Sequence, residues 1–185
     1  IVIQEEALPL LQELDVTYTH YNDTYYTADA IECVCAITAK AIKAGLQIFN
    51  CISVEDVMIH NDRICGLVIN WSAVDIAKLH VDPLTVKSNY VIDSTGHDTE
   101  VVKVLVKKLP GQLNTPSGTI EGEKYMWADK AEKLTLENTK EVYHGLYVAG
   151  MAANAVFGAP RMGPIFGGML LSGKKVAELI IGKKR

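Results

Sequence analysis

The last third of the chain constrains the fold more than any other stretch. Gly145-Leu146-Tyr147-Val148-Ala149-Gly150 reads as a buried strand that ends in glycine. A loop of small residues follows through Arg161-Met162-Gly163-Pro164, and Gly167-Gly168-Met169-Leu170-Leu171-Ser172-Gly173 opens a helix that continues to about Ile181. Small residues at a helix start let backbone N–H groups approach a phosphate, where the helix dipole adds attraction. The same glycines serve close helix–sheet packing. The segment alone does not decide between the two.

Upstream, Ala7–Leu14 reads as a short helix, Val16–Thr19 as a strand, Asn22-Asp23 as a turn and Tyr25–Ala28 as extended chain. Asp29 is placed to cap a helix from Ala30 to Ala44, which stops at Gly45. Its apolar positions Ile31, Val34, Ile37, Ala41 and Ala44 lie close to the helical period. Strands are expected over Gln47–Ile52, Val54–His60, Ile64–Trp71 and Val86–Ile92, with Asn61-Asp62 as a hairpin turn. Val101–Leu109 reads as a helix, and Pro110–Glu123 as a long mobile loop rich in Gly, Pro, Thr and Ser.

Two stretches carry metal-binding chemistry. His80 and Asp82 in Leu79-His80-Val81-Asp82-Pro83 are two apart, so in extended chain both side chains leave the same face. His97 follows a short apolar strand in Asp93-Ser94-Thr95-Gly96-His97-Asp98. Two imidazoles and a carboxylate suit a catalytic divalent metal with open positions. His80 and Asp82 as a hydrogen-bonded surface pair is the plainer reading. His20, His60 and His144 read as ordinary surface residues.

Composition excludes several classes. The 185 residues fit one domain spanning 1–185, and the formal net charge of −4 argues against a nucleic-acid surface. The only basic cluster is the Lys183-Lys184-Arg185 tail, read as a solvated terminus. No apolar run reaches the roughly 18 residues that span a bilayer, and no signal peptide is visible. A cytoplasmic protein with no membrane partner is expected. Cys33, Cys35, Cys51 and Cys65 show no zinc-type pairing, which favours buried, reduced thiols.

The order helix, β-meander, strand ending in Thr-Gly, then strand-Gly-loop-helix is the back end of an α/β FAD/NAD(P)-binding, flavoprotein-like Rossmann fold. The phosphate loop GxGxxG that normally opens that fold is absent, and the chain starts at Ile1 without Met. The expectation is an N-terminally incomplete domain, itself inactive if the phosphate loop is indispensable. An FAD- or NAD-dependent oxidoreductase of the same fold, with turns at Thr95-Gly96 and Gly150 serving flavin, is one open reading.

Four motifs point further: Val68-Ile69-Asn70-Trp71-Ser72-Ala73-Val74, Leu79 to Thr85, Ser94 to Asp98, and Ala149-Gly150-Met151 through Arg161-Met162-Gly163-Pro164-Ile165-Phe166-Gly167-Gly168-Met169. Together they resemble the thiazole synthases of thiamine biosynthesis, in particular the archaeal, sulfide-dependent branch. Some members were formerly labelled ribose-1,5-bisphosphate isomerases. The resemblance implies a pentosyl-transferring enzyme that uses NAD as a substrate. Nicotinamide leaves, the ADP-ribose carbons condense with glycine, and sulfur enters to give an ADP-linked 5-ethyl-4-methylthiazole-2-carboxylate.

The resemblance also assigns residues. Asp82 and His97 match iron ligands contributed by neighbouring protomers of a ring-like homo-octamer. His80 matches the catalytic position where the fungal and plant branch has a sulfur-donating cysteine. Imidazole carries no sulfur, so free sulfide with Fe(II) is the implied source; His80 as a third ligand remains open. Arg161 matches the glycine-carboxylate anchor, with Met162 and Gly163 completing that motif, and a guanidinium fork suits a carboxylate. Met151 matches an NAD contact, and Val54, with Glu55 adjacent, matches the adenine side.

Overall fold

In the computed structural model, residues 1–182 are described. The elements are β1 (Val2–Gln4), a 3-10 turn at Glu5–Ala7, α1 (Leu8–Glu13), β2 (Tyr18–Asn22), β3 (Tyr25–Ala28) and α2 (Ala30–Lys43). Next come β4 (Ile52–His60), β5 (Arg63–Trp71), α3 (Ser72–Ile76), β6 (Leu84–Lys87), β7 (Val91–Asp93), a 3-10 turn at Gly96–Asp98 and α4 (Glu100–Lys108). The chain closes with β8 (Lys124–Met126), α5 (Ala128–Asn138), β9 (Lys140–Tyr143), β10 (Leu146–Val148), α6 (Met151–Phe157), β11 (Pro160–Arg161) and α7 (Gly167–Gly182). The tail at 183–185 lies outside the described residues.

Three sheets frame the core, with a two-stranded pair beside them. β10 sits between β7, parallel, and β9, antiparallel. β4, β5 and β6 form an antiparallel meander, and β1, β3 and β2 a smaller antiparallel sheet. β8 and β11 pair in parallel. The main apolar cluster joins Val91, Leu146 and Val148 of the β7-β10-β9 sheet to Val102 and Leu105 of α4, Val156 of α6 and Ile64 of β5. A second cluster packs Ile3, Leu11 and Cys33 against Phe166, Leu170 and Leu171.

Local signals explain several elements. Asp29 caps α2 by accepting from the N–H groups of Ile31 and Glu32 at 2.9 and 2.8 Å. The β4–β5 hairpin turns at Asn61 and Asp62, both with positive φ, the backbone that a two-residue turn demands and that Asn and Asp tolerate. The same hairpin is held to α4 by Lys108 Nζ donating to Asp56 Oδ2 at 2.7 Å.

Other expectations change. Residues 46–50 form no strand; β4 starts at Ile52 and runs through Val54. The single strand expected over Val86–Ile92 is split, because β6 pairs with β5 whereas β7 pairs with β10. Helix α6 lies where only a loop is expected, and α5 and β9 carry no clear periodic signal. On α2 the buried residue is Cys33, while Ile31 and Val34 are 75% and 63% exposed. The packing surface offered by β1 and α1 meets only one line of that helix. All four cysteines are free as expected, but only Cys33 is buried; Cys35 and Cys51 are exposed. Among the described residues no helix is long and apolar enough to cross a membrane.

Candidate functional site

The site grows from the end of β7. Asp93 is fully buried, and its carboxylate accepts from Thr95 N–H at 2.9 Å, Thr95 Oγ1 at 2.7 Å and Val102 N–H at 2.9 Å. Thr95 Oγ1 in turn accepts from Glu100 N–H at 2.8 Å. One carboxylate therefore ties off the strand, shapes the Gly96–Asp98 turn and satisfies the Val102 amide in the first turn of α4, while Thr95 satisfies that of Glu100. His97 projects from that turn. Thr99, which joins the turn to α4, is a buried β-branched residue at φ 45°, a strained backbone for its type.

The opposing wall is the β8/β11 pair. Gly122 N–H donates to Ala155 O at 3.1 Å and Lys124 N–H to Ala159 O at 3.0 Å, so the backbone is held on both sides of Glu123. Arg161, the last residue of β11, is fixed by register with Met126 and by Trp127 N–H donating to its carbonyl at 3.2 Å. Glu123 is only 16% exposed at its side chain. It bridges two residues: Oε1 pairs with His97 Nδ1, and Oε2 lies 3.7 Å from Arg161 Nε. His97 and Arg161, remote in sequence, thus meet across one carboxylate.

Beneath this wall runs a buried polar network. Thr135 Oγ1 lies 3.4 Å from the sulfur of Met162 and 2.8 Å from Ala131 O, and accepts from Asn154 Nδ2 at 2.7 Å. Thr139 Oγ1 and Ser172 Oγ meet at 2.6 Å, and Ser172 Oγ accepts from Gly150 N–H at 2.7 Å. Met162 is buried, its sulfur against Thr135. Gly150, with φ 63° and ψ −140°, needs glycine's freedom to turn β10 into α6, and it places Met151 at the helix start. At Gly163 an added Cβ would meet Ala128 Cβ at 3.4 Å, ordinary contact, so the fold itself does not require glycine there.

The start of α7 resolves the ambiguity of its glycines. Gly168 N–H donates to Glu132 Oε1, and an added Cβ at Gly168 would lie 2.8 Å from Glu132 O. An added Cβ at Gly167 would lie 2.9 Å from Gln4 Oε1. The protein's own carboxylate occupies the helix N-terminus, and these glycines serve packing. Glu132 is almost wholly buried, and desolvation pushes its carboxyl above the ordinary carboxylate range, against the opposing pull of the Gly168 N–H. Burial likewise raises the Cys33 thiol.

His80 and Asp82 stand apart. Their segment is irregular chain between α3 and β6 rather than a strand, and both residues are exposed. It is anchored by Asn70 Nδ2 donating to Val81 O at 3.1 Å, while Leu79 and Val81 are 62% and 44% exposed. Among the described residues, neither His80 nor Asp82 bonds to the His97–Glu123–Arg161 group, and no three His, Cys, Asp or Glu side chains gather into a metal-sized cluster. Val54 lies in β4, opposite Ile69 and partly packed on the main core, with Glu55 exposed beside it. Glu123 is the residue that sequence reasoning missed. It closes a loop taken as mobile, and only its position after Gly122 and before the Tyr125-Met126-Trp127 run hinted at a shaped segment. The loop is instead pinned, through Leu113 N–H to Gly118 O, Asn114 N–H to Val142 O and Glu121 N–H to Val156 O.

This mixed α/β architecture is that of a known enzyme class. It superposes on the crystal structure of Thermovibrio ammonificans THI4 with a TM-score of 0.96 and 50% identity, covering 99% of this chain and 71% of that one. The pattern of the Thi4 family matches residues 1–166, and the chain belongs to the Thi4 family. Thiamine thiazole synthase of Desulfosudis oleivorans is 63% identical over 181 residues, 98% of this chain and 70% of that protein. The enzyme of the same name from Methanothermobacter thermautotrophicus is 56% identical over 183 residues, 99% of this chain and 71% of that protein. The resemblance read from the motifs is thereby established, and with it a place among the thiazole synthases of thiamine biosynthesis.

Proposed function

We propose that the chain forms an ADP-linked 5-ethyl-4-methylthiazole-2-carboxylate from NAD, glycine and free sulfide, with release of nicotinamide and with Fe(II) as its metal. The observation that carries this reading is the meeting of His97 and Arg161 on Glu123. A nitrogen donor and a carboxylate anchor on one wall suit a substrate that bears a carboxylate and is held beside a metal.

The residues present fit such an ion as part of an assembly. His97 offers Nε2 while Nδ1 is engaged, and exposed Asp82 offers a carboxylate. One imidazole and one carboxylate leave positions for substrate and sulfide, and bound Fe(II) would supply Lewis acidity and orientation. The family resemblance implies that Asp82 and His97 come from two protomers, and hence a homo-oligomer, an octamer. Arg161 orients glycine through its free guanidinium edge, Met162 and Gly163 line that end, and Met151 and Val54 face the nucleotide. His80 stands where a donor cysteine would, so sulfur comes from solution.

Mass spectrometry of small molecules released on denaturation tests this reading. An adenylated thiazole or its glycine-imine precursor is expected, and FAD would overturn the reading in favour of an oxidoreductase. Anaerobic turnover with NAD, glycine and Fe(II) should require added sulfide. Product without sulfide, with Cys33, Cys35, Cys51 or Cys65 converted to dehydroalanine, would defeat it.

A further inference from the structure

We infer that Glu123 is a positioning residue that sets the metal-facing nitrogen of His97 and the substrate-facing edge of Arg161 together. The inference rests on the proposed roles of those two residues and adds the group that couples them.

Three observations converge on it. The carboxylate is mostly buried and uses its two oxygens on two different partners, Oε1 on His97 Nδ1 and Oε2 on Arg161 Nε at 3.7 Å. Its backbone is held by the flanking bonds to Ala155 and Ala159, and burial of its side chain narrows the rotamers open to the carboxylate. The partners are exposed at their far ends, with side-chain exposures of 42% for His97 and 54% for Arg161. Glu123 is thus the most buried of the three, and the two chemically active side chains reach outward from it.

The physical consequence differs for the two partners. A neutral imidazole carries its proton on one nitrogen, and an acceptor at Nδ1 holds the proton there and leaves Nε2 as the donor to a metal. For Arg161 the 3.7 Å pairing is an ion pair longer than a hydrogen bond, so it draws the guanidinium towards Glu123 without fixing its plane. Loss of the carboxylate releases both at once. Such partners of metal-bound histidines change metal affinity by about 10–100-fold when removed.

The test uses the intact protein and two variants, Glu123→Ala and Glu123→Gln. Nitrogen-15 spectra of histidine-labelled, metal-free protein, recorded in the alkaline limit of the ring titration and assigned with His97→Ala, report the His97 tautomer. Wild type is expected in the Nδ1–H form. Glu123→Ala should lose that bias, bind Co(II) about 10–100-fold more weakly, and raise the KM for glycine more than that for NAD. Glu123→Gln keeps the shape and an acceptor oxygen, and should preserve the tautomer and most of the Co(II) affinity. An unchanged tautomer and Co(II) affinity in Glu123→Ala would overturn the inference, as would a Gln variant that loses the Nδ1–H form as fully as Ala. Equal Co(II) affinity in wild type and His97→Ala would instead remove the metal role of His97. The tautomer measurement, made without metal, still decides the role of Glu123.

Discussion

Two regions that carry the candidate chemistry are built in opposite ways. The wall that bears His97, Glu123 and Arg161 is organised within one chain: Asp93 knots the turn beneath His97, and paired backbone holds Glu123 and Arg161. The His80–Asp82 segment is exposed, irregular and anchored by one side-chain bond to Val81 O. The first region is preorganised and its parts are coupled to folding. The second presents exposed groups beside exposed Leu79, Val81 and Leu84. Mutations of the buried groups beneath the first, such as Asp93, should therefore cost stability as well as function, and mutations in the second function alone.

The largest effect is expected at Asp93. Asp93→Ala strands three donors in and around the core and should cost about 3–5 kcal/mol in unfolding free energy, within the range for a broken buried network. Denaturant unfolding measures it. A loss below about 1 kcal/mol, typical of ordinary substitutions, would mean that the His97 turn holds itself.

Arg161→Ala should leave the fold nearly intact, because its ion pair with Glu123 is half exposed and such pairs contribute about 0–1 kcal/mol. Its function should suffer more. A charge-assisted contact is worth roughly 1.5–3 kcal/mol, read as a raised KM for glycine with NAD affinity little changed. Unchanged glycine dependence removes Arg161 from the site.

Glu132, at the start of α7, gives the fold a pH signature. Its folded carboxyl is raised by burial, so its contribution to stability is present below the ordinary carboxylate range and is lost as pH rises through the raised value. Wild-type melting temperature should fall across that window, and Glu132→Gln, which still offers an oxygen to Gly168 N–H, should flatten the slope. An identical pH profile for the two proteins would place the buried charge elsewhere.

The smallest stability effect is expected at the second region. Asp82→Ala should shift unfolding by no more than about 0.5 kcal/mol, as surface substitutions do, while abolishing iron-dependent turnover. Retained iron and activity would exclude Asp82 as a ligand, and a large loss of stability would erase the contrast between the regions. His80→Ala should spare more of the metal affinity than Asp82→Ala.

Much of the architecture was legible because its causes are local. Asp29 before an alanine-rich run, Asn61-Asp62 between two strands and Gly150 after Leu146–Val148 each act through neighbouring backbone, and each appears where expected. The motifs that hold Asp82, His97 and Arg161 were also readable as a resemblance, and family membership bears that out. Helix α5 was missed because its apolar stripe is weak and its buried residues include Glu132 and Thr135, which read as surface types. The run from Val86 to Ile92 was read as one strand because pairing partners, not propensity, divide it.

By itself the sequence determined the short-range elements, the chemical inventory and the family, since a cap, a turn or a motif depends on residues a few positions apart. Only the tertiary structure decided which inventory members meet. Glu123 joins His97 to Arg161 because the β8/β11 pairing and the bonds from Gly122 and Lys124 bring a loop end against a distant turn. Glu132 became a buried cap for α7 because α5 packs across that helix start. Such meetings depend on packing across the core, where any carboxylate of suitable reach could have served, and no spacing along one chain encodes which one does.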